Sequence, residues 1–256
     1  MYRVYNENNV KVNVTEKQLE GFLKEDGMQL PLEIIGAMSK SLNPKYASRL
    51  KEALYHEKQR NRITAIFGLL SLLNHDYIEI LREKERSIPV EDLNRKISEK
   101  AILQAVLIRL EDGEEGAMDA FLNEKISPQI KSLLIYNYSS SNMPLSKKDI
   151  EFLLVALEAY IYKKESWIQS MKKNDYEEDV IACLEALLRG SETSDCLSQL
   201  DNDLYSKLIS SCEKILKMKI DSYAKELIVT FARFLPPKLA YSILEPIMEV
   251  PTRGDV

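Results

Sequence analysis

Apolar residues recur with a helical period through most of the chain, and they do so most clearly between Asp221 and Met248. The apolar positions of the first helix in this stretch share one face: Ala224, Leu227, Ile228, Phe231 and Ala232. Pro236 and Pro237 end that helix, and a second begins at once because proline is tolerated in a first helical turn. Two amphipathic helices joined by so short a turn lie antiparallel, and each keeps more apolar surface than its partner covers. The pattern predicts a helix pair that packs against neighbouring pairs.

The start of the chain has a different pattern, in which apolar and polar positions alternate. The alternating positions flank an Asn-rich turn at residues 6–9: Tyr2, Val4, Val10, Val12 and Val14. Alternation on both sides of a turn is typical of a β-hairpin. We therefore predict an all-α protein with a short N-terminal β-hairpin at residues 1–14, followed by helical repeats at residues 15–138 and 145–250.

Several residues have the chemistry that begins or ends a helix. Thr15 and Gln18 have the spacing of a capping box, in which each side chain bonds the other's backbone N–H. Asp76 and Ser146 are placed to cap the starts of later helices. Gly190 is expected to stop a helix, because glycine readily adopts the left-handed backbone conformation found after helix C-termini.

Three leucines near the ends of predicted helices fall at nearly regular intervals. Leu73 and Leu110 are 37 residues apart, and Leu188 follows 78 residues after Leu110. Helical repeats have periods of about 33 to 47 residues, so these intervals correspond to about one and two periods. An irregular antiparallel bundle would also show regularly spaced amphipathic helices. We expect an α-solenoid of antiparallel helix pairs, continuous across a polar joint at residues 139–144, with the bundle as the alternative.

Two stretches resemble the helix pairs of HEAT and armadillo repeat proteins: RITAIFGLLSLLNHDYIEIL and SYAKELIVTFARFLPPKLAYSIL. The resemblance extends from Arg62 to Met248 and consists of hydrophobic spacing. It implies a curved stack of helix pairs with a long surface for binding another protein.

Composition narrows the range of functions. The chain is 45% hydrophobic and 29% charged, and its net charge of −5 argues against a nucleic-acid partner, because phosphate binding needs clustered basic residues. Cys183, Cys196 and Cys212 have neither disulfide-framework nor zinc-site spacing, and the N-terminus has no apolar signal segment. No apolar run is long enough for a membrane span. We expect a cytoplasmic protein without a metal or cofactor.

Residues capable of catalysis are few and poorly arranged for it. His56 precedes Glu57 and His75 precedes Asp76, but neighbours on a helix point about 100° apart and are not oriented to share a proton. Both histidines are predicted at the surface or in caps. Cys183 lies on an apolar helix face and is predicted to be buried. No phosphate-binding loop, zinc-protease motif or nucleophile elbow is present, so no catalytic residue is predicted.

Two acidic clusters are the first candidates for partner binding. One surrounds an interhelical turn: Glu111, Asp112, Glu114, Glu115 and Asp119. The other precedes a later helix and includes Asp175, Glu177 and Glu178. Carboxylates near a helix N-terminus also stabilise that helix, which is a structural alternative. If both clusters lie along one edge of a solenoid, they form a negative strip able to dock a basic protein.

Paired tyrosines are the second candidates. Tyr136 and Tyr138, like Tyr160 and Tyr162, are two residues apart, so on a helix neither pair can face the core entirely. Exposed tyrosine favours contact with a partner protein, although tyrosine in the core or at its boundary is the commoner case.

These patterns predict a non-enzymatic, protein-binding helical module. One concrete version is an acidic immunity or inhibitor protein that neutralises a basic toxin. It would recognise the toxin through charge complementarity. The first alternative is a HEAT-like DNA-binding protein or DNA-repair glycosylase, whose local match would be Trp167 and Glu165 with neighbouring lysines: Lys163, Lys164, Lys172 and Lys173. The second alternative is a homodimeric scaffold.

Overall fold

The computed structural model describes residues 1–94, 98–193 and 200–248, and within them the chain is predominantly α-helical. It divides into two compact units, Met1–Met143 and Pro144–Val256, called here the N-terminal and C-terminal units. The division falls within the polar run at residues 139–144. Whether the units continue as one solenoid stays a prediction.

The N-terminal unit begins with a hairpin and continues with eight helices in its described residues. The strands are β1 (Tyr2–Tyr5) and β2 (Lys11–Val14). The helices are α1 (Glu16–Gly21), α2 (Leu32–Ser41), α3 (Ala47–Ala53), α4 (Gln59–Ser71), α5 (Ile78–Ser87), α6 (Glu99–Glu111), α7 (Gly113–Leu122) and α8 (Pro128–Ser140). Short 3-10 turns join several of them: Phe22–Lys24, Gly27–Gln29, Pro44–Tyr46, His75–Tyr77 and Val90–Asn94.

The C-terminal unit has six α-helices in its described residues. They are α9 (Lys147–Ile161), α10 (Ser166–Gln169), α11 (Lys173–Thr193), α12 (Asn202–Lys217), α13 (Ser222–Phe231) and α14 (Pro237–Met248). A 3-10 turn at Ala232–Phe234 separates the last two. Helices are therefore present before and after Pro236 as predicted, but α14 packs on α12 and α13 packs on α11, so the predicted antiparallel pairing of the two is not confirmed. Residues 249–250, at the end of the second predicted repeat segment, lie outside the described residues.

The predicted β-hairpin is confirmed. Its antiparallel register pairs Tyr2 with Val14 and Val4 with Val12. The Asn6 side-chain oxygen accepts bonds from the backbone N–H groups of residues 8 and 10, each at 3.0 Å. This side-chain bonding is what favours asparagine in turns. Because a lone hairpin is marginal in water, its attachment to the helices decides its stability, and Val4 and Val14 are both buried.

Glu16, at the start of α1, ties the hairpin to the helices. Its carboxylate accepts bonds from the hydroxyl of Tyr2 at 2.8 Å and from the hydroxyl of Tyr46 at 2.7 Å. Lys45 Nζ lies 2.7 Å from the same carboxylate. The bonds from Lys45, Tyr46 and Tyr2 lower the pKa of Glu16 to about 2. Burial, together with the bond to Glu16, raises the pKa of Tyr46 to about 12.

Helix capping was predicted in part. The capping box of Thr15 and Gln18 is present, and Ser146 caps α9 with its N3 residue, Asp149, completing a second box. The prediction for Asp76 is wrong. The side chain of Asn74 accepts from the Asp76 N–H at 2.8 Å, so asparagine is the cap and Asp76 supplies the bonded backbone group.

Even-numbered helices pack successively in the N-terminal unit: α2 on α4, α4 on α6 and α6 on α8. The contact between α2 and α4 requires a small residue. A Cβ added at Gly68 of α4 would fall on Ser39 Oγ of α2 and lie 3.1 Å from Leu50 Cδ1. Glycine therefore allows the backbones to approach closely where Ser39 is buried between them.

A largely buried ion pair joins α4 to α6. Arg62 donates through Nε to Glu99 at 3.0 Å and through Nη2 at 2.7 Å, and the Glu99 side chain is only 4% exposed. Arg62 Nη1 also donates to the backbone oxygens of His56 and Glu57, both at 2.8 Å. One guanidinium thus holds two helices and the loop that precedes α4.

In the C-terminal unit, α9 packs against both α11 and α12, α11 packs against α13, and α12 packs against α14. The prediction that Gly190 stops a helix is wrong, because α11 continues to Thr193. A Cβ at Gly190 would collide with the buried Leu145 side chain, so glycine serves close packing there. The packing of both units is compatible with a repeat stack and with a bundle, and the solenoid stays a prediction.

Replacing Gly68 with alanine tests the close approach of α2 and α4. The added methyl group must displace Ser39 or separate the helices, and overpacking of this kind lowers the free energy of unfolding by about 1–3 kcal/mol. Gly21→Ala is the matched control, since a Cβ there meets nothing within 4 Å. The control is expected to be neutral or stabilising by about 1 kcal/mol in denaturant unfolding. Equal effects of the two substitutions would contradict this account of α2 and α4.

The low pKa of Glu16 predicts a defined pH dependence. Because this pKa is about 2 in the folded chain against an ordinary value of 4.5, the ionised carboxylate contributes stability above about pH 4.5. That contribution is lost as the pH falls towards 2. Glu16→Gln should therefore unfold at lower denaturant concentration than the parent at neutral pH, and the difference should shrink on acidification. Glu25→Gln, at an exposed carboxylate, is the control. A difference that stays constant with pH would contradict the assignment.

Candidate functional site

The first acidic cluster lies at the turn between α6 and α7. Glu111 ends α6 and forms an ion pair with Arg82 of α5, with 2.8 Å between Arg82 Nη2 and the carboxylate. Asp112, Glu115 and Asp119 are all exposed. Glu115 and Asp119 are four residues apart, which places them on one face of α7, whereas Asp112 precedes the helix and is followed by Gly113 with a φ of 71°. The side chain of Glu114 lies outside the described part of the structure.

The acidic row of α7 ends at an apolar side chain. Leu122 follows Asp119 by three residues, continues the same helix face and is 56% exposed. The opposite face of α7 is buried through Ala117, Ala120 and Phe121. We call the outward set of Asp112, Glu115, Asp119 and Leu122 the α7 face. It combines three carboxylates with one exposed apolar group.

Helix electrostatics account for only part of the α7 face. Carboxylates near the start of a helix are stabilised by the macrodipole, and Glu115 lies in the first turn of α7. Asp119 lies in the last turn, where the dipole disfavours a carboxylate. It is also four residues from Glu115, a spacing at which like charges destabilise a helix. Asp119 therefore costs stability at its position.

The second acidic cluster belongs to the C-terminal unit, at the beginning of α11. Asp175 and Glu178 are exposed, while Glu177 is half-buried and lies 3.4 Å from Lys173 Nζ. Asp175 lies in the first turn of α11, where the macrodipole stabilises a carboxylate. The structural alternative therefore explains Asp175, and the ion pair with Lys173 accounts for Glu177. The two clusters lie in different units, so the predicted strip joining them stays a prediction.

The tyrosine pairs divide between core and surface. Tyr136 and Tyr162 are each 46% exposed, whereas Tyr138 and Tyr160 are buried. Burial excludes Tyr138 and Tyr160 as surface contacts, so their inclusion among the partner-binding candidates is corrected. A spacing of two residues turns one ring outward and the other inward, as the helical period requires. Tyr136 rests edge-on against Phe67, with ring centroids 5.8 Å apart.

Several of the aromatic and basic residues predicted for nucleic-acid binding contact other side chains of the C-terminal unit. Trp167 packs edge-on against Tyr160 with ring centroids 5.8 Å apart, and its indole Nε1 is buried. Lys164 lies 3.0 Å from Glu158, and Lys173 is paired as described above. These contacts do not form the open basic groove that stacking on a nucleic acid requires.

The cysteine and histidine predictions have mixed outcomes. Cys183 is buried as expected, and burial raises its pKa well above the usual range, as burial raises the pKa of Cys212 to about 12. Neither thiol therefore has the character of a nucleophile. Cys196 lies outside the described residues. His75 is exposed, but the prediction of a surface or cap position for His56 is wrong because its side chain is buried.

A groove in the N-terminal unit has no counterpart among the sequence predictions. It has a volume of about 490 Å³ and lies between the hairpin turn, the 3-10 turn before α2 and the loop before α4. Glu7 and Lys58 form an ion pair across its edge, with Lys58 Nζ 2.8 and 2.7 Å from the two carboxylate oxygens. The bond from Lys58 lowers the pKa of Glu7. Three segments far apart in sequence form this groove, and no local pattern marks it.

In residues 1–94, 98–193 and 200–248, no group of three or more His, Cys, Asp or Glu side chains is arranged to hold a metal ion. Across the same residues, no helix has both the length and the apolar character that a membrane crossing requires.

Comparison of the chain with protein-family models, with curated proteins and with solved structures finds no match. The resemblance to HEAT and armadillo proteins therefore stays a prediction. Among the predicted candidates, Asp119 of the α7 face is a carboxylate whose placement helix stability does not explain.

Exchanging single carboxylates tests this distinction between the two acidic clusters. Asp119→Asn removes an unfavourable charge from the last turn of α7 and should raise the free energy of unfolding by about 0.3–1 kcal/mol. Asp175→Asn, at the start of α11, removes a favourable charge and should lower it by a similar amount. Denaturant unfolding at low ionic strength measures both. Destabilisation by Asp119→Asn would show that this carboxylate has a structural role.

Proposed function

We propose that the chain is a non-enzymatic protein-binding module that docks a basic segment of another protein on the α7 face. The observation that carries the proposal is the exposed helix face of Glu115, Asp119 and Leu122, with Asp112 exposed just before the helix. Asp119 is unfavourable for the helix itself. Binding a cation is a role that would offset this cost.

The dimensions of the α7 face define the kind of partner. Leu122 follows Glu115 by seven residues of helix, which corresponds to about 10 Å at 1.5 Å per residue. A partner helix with Lys or Arg on one face and an apolar residue one turn beyond them would match this length. The charges would orient and accelerate the encounter, while burial of Leu122 would contribute affinity that salt does not screen. A basic toxin recognised by an immunity protein is one partner of this class.

The predicted solenoid is part of the proposal rather than its basis. Successive packing of α2, α4, α6 and α8 supports a stack of helix pairs within the N-terminal unit. The long surface of such a stack would place α7 beside further contacts on neighbouring pairs. Tyr136 of α8 is an exposed aromatic residue in the same unit and a candidate for such a contact.

Selection of a random-peptide phage library on the immobilised full chain tests the proposal. Enriched peptides should carry an excess of Lys and Arg together with at least one apolar residue. Their affinity should fall with rising salt, because exposed charges are screened. In a chain with Asp112→Asn, Glu115→Gln and Asp119→Asn, binding should weaken about tenfold or more.

The matched control is Asp175→Asn with Glu178→Gln, which neutralises exposed carboxylates in the C-terminal unit. It should leave the affinity of the selected peptides unchanged. Leu122→Ala should weaken binding without changing its dependence on salt. Peptides without basic enrichment, or equal binding to the triple variant and the parent, would count against the α7 face.

A further inference from the structure

The groove of the N-terminal unit is built from well-bonded backbone. Arg62 fixes the carbonyl groups of His56 and Glu57, and the backbone N–H of Lys58 donates to His56 Nδ1 at 2.9 Å. On the facing side, the turn around residue 6 is closed by the Asn6 side chain. The Glu7–Lys58 ion pair links these two walls. The groove is therefore shaped by the fold before anything enters it.

The charges inside the groove do not balance. Lys58 and His56 are its basic lining residues; both oxygens of Glu7 engage the Lys58 ammonium group, and His56 Nδ1 accepts a bond from the Lys58 backbone N–H. Two further carboxylates line the groove, those of Glu33 and Glu57. Within the described part of the chain, neither has a hydrogen-bond or ion-pair partner for its side chain. Glu33 is half-buried, so part of its hydration has already been removed.

Neutral groups around these carboxylates also favour a cationic ligand. The side chains of Asn8 and Gln29 line the groove and offer carboxamide oxygens as additional acceptors. Met28 contributes an apolar thioether and is 41% exposed. A ligand that suits this lining has a cationic donor group on a short apolar stem. A phosphate or carboxylate would be repelled by Glu33 and Glu57.

We propose that this groove binds a guanidinium or alkylammonium group, with Glu33 and Glu57 as its carboxylate acceptors. Such a group donates several hydrogen bonds at once, and its aliphatic stem can lie against Met28. The same chemistry is offered by an arginine or lysine side chain of a peptide and by a free polyamine. The groove is distinct from the α7 face, so this inference stands apart from the proposed function.

Isothermal titration calorimetry of the full chain with defined probes tests the inference. The probes are a short uncharged peptide that contains one arginine, the same peptide with citrulline in its place, and spermidine. Citrulline keeps the shape of arginine but removes the charge. The arginine peptide, spermidine or both should bind, and the citrulline peptide should bind at least about tenfold more weakly than its arginine counterpart. Preference between the arginine peptide and spermidine identifies the source of the cation.

Two variants assign any binding to the groove. Glu33→Gln with Glu57→Gln preserves side-chain size and should weaken binding of the cation about tenfold or more. Glu226→Gln, at an exposed carboxylate of α13, should leave it unchanged. The far-ultraviolet circular dichroism spectrum confirms that the double variant is folded. Absence of binding by both cationic probes, or equal affinity of the double variant and the parent, would overturn the inference.

Discussion

The guanidinium of Arg62 is the contact that links helix packing in the N-terminal unit to the loop beside the groove. It joins α4 to Glu99 of α6 across 37 residues of sequence and also bonds two carbonyl groups of the loop before α4. A buried ion pair adds little when compared with apolar packing, but losing Arg62 would leave the buried Glu99 carboxylate to Lys84, whose Nζ lies 3.7 Å away. The interaction therefore links helix packing and groove shape in one place. Any change that displaces Arg62 would affect both.

Local patterns predicted the elements of this protein better than the contacts between them. Alternation identified the hairpin, and the Thr15–Gln18 spacing identified a capping box, because both are properties of adjacent residues. Gly190 was misinterpreted because its role depends on Leu145, which is distant in sequence. The groove likewise depends on three separate segments meeting in space. Neither arrangement leaves a periodic signal in the chain.

For the candidate site, too, the sequence predicted local features but not the contacts between helices. Tyrosines two residues apart predict that one ring of each pair faces outward, but the spacing does not say which one. Tyr138 and Tyr160 proved to be core residues because the faces carrying them meet other helices. For the acidic clusters, composition suggested one shared role. Position within each helix separates them, because Asp175 is favourable at the start of α11 and Asp119 is unfavourable at the end of α7.

The turn between α6 and α7 has a consequence for binding. Only Asp112 separates the end of α6 from the start of α7, and Gly113 takes a φ of 71°, in the left-handed region that glycine adopts without strain. So short a connection leaves α7 little freedom to move independently of α6, whose side chains are largely buried. A partner would therefore meet carboxylates carried by a backbone that is already ordered. Little of the association free energy would be spent on immobilising the recognition surface, so even a modest contact area could give useful affinity.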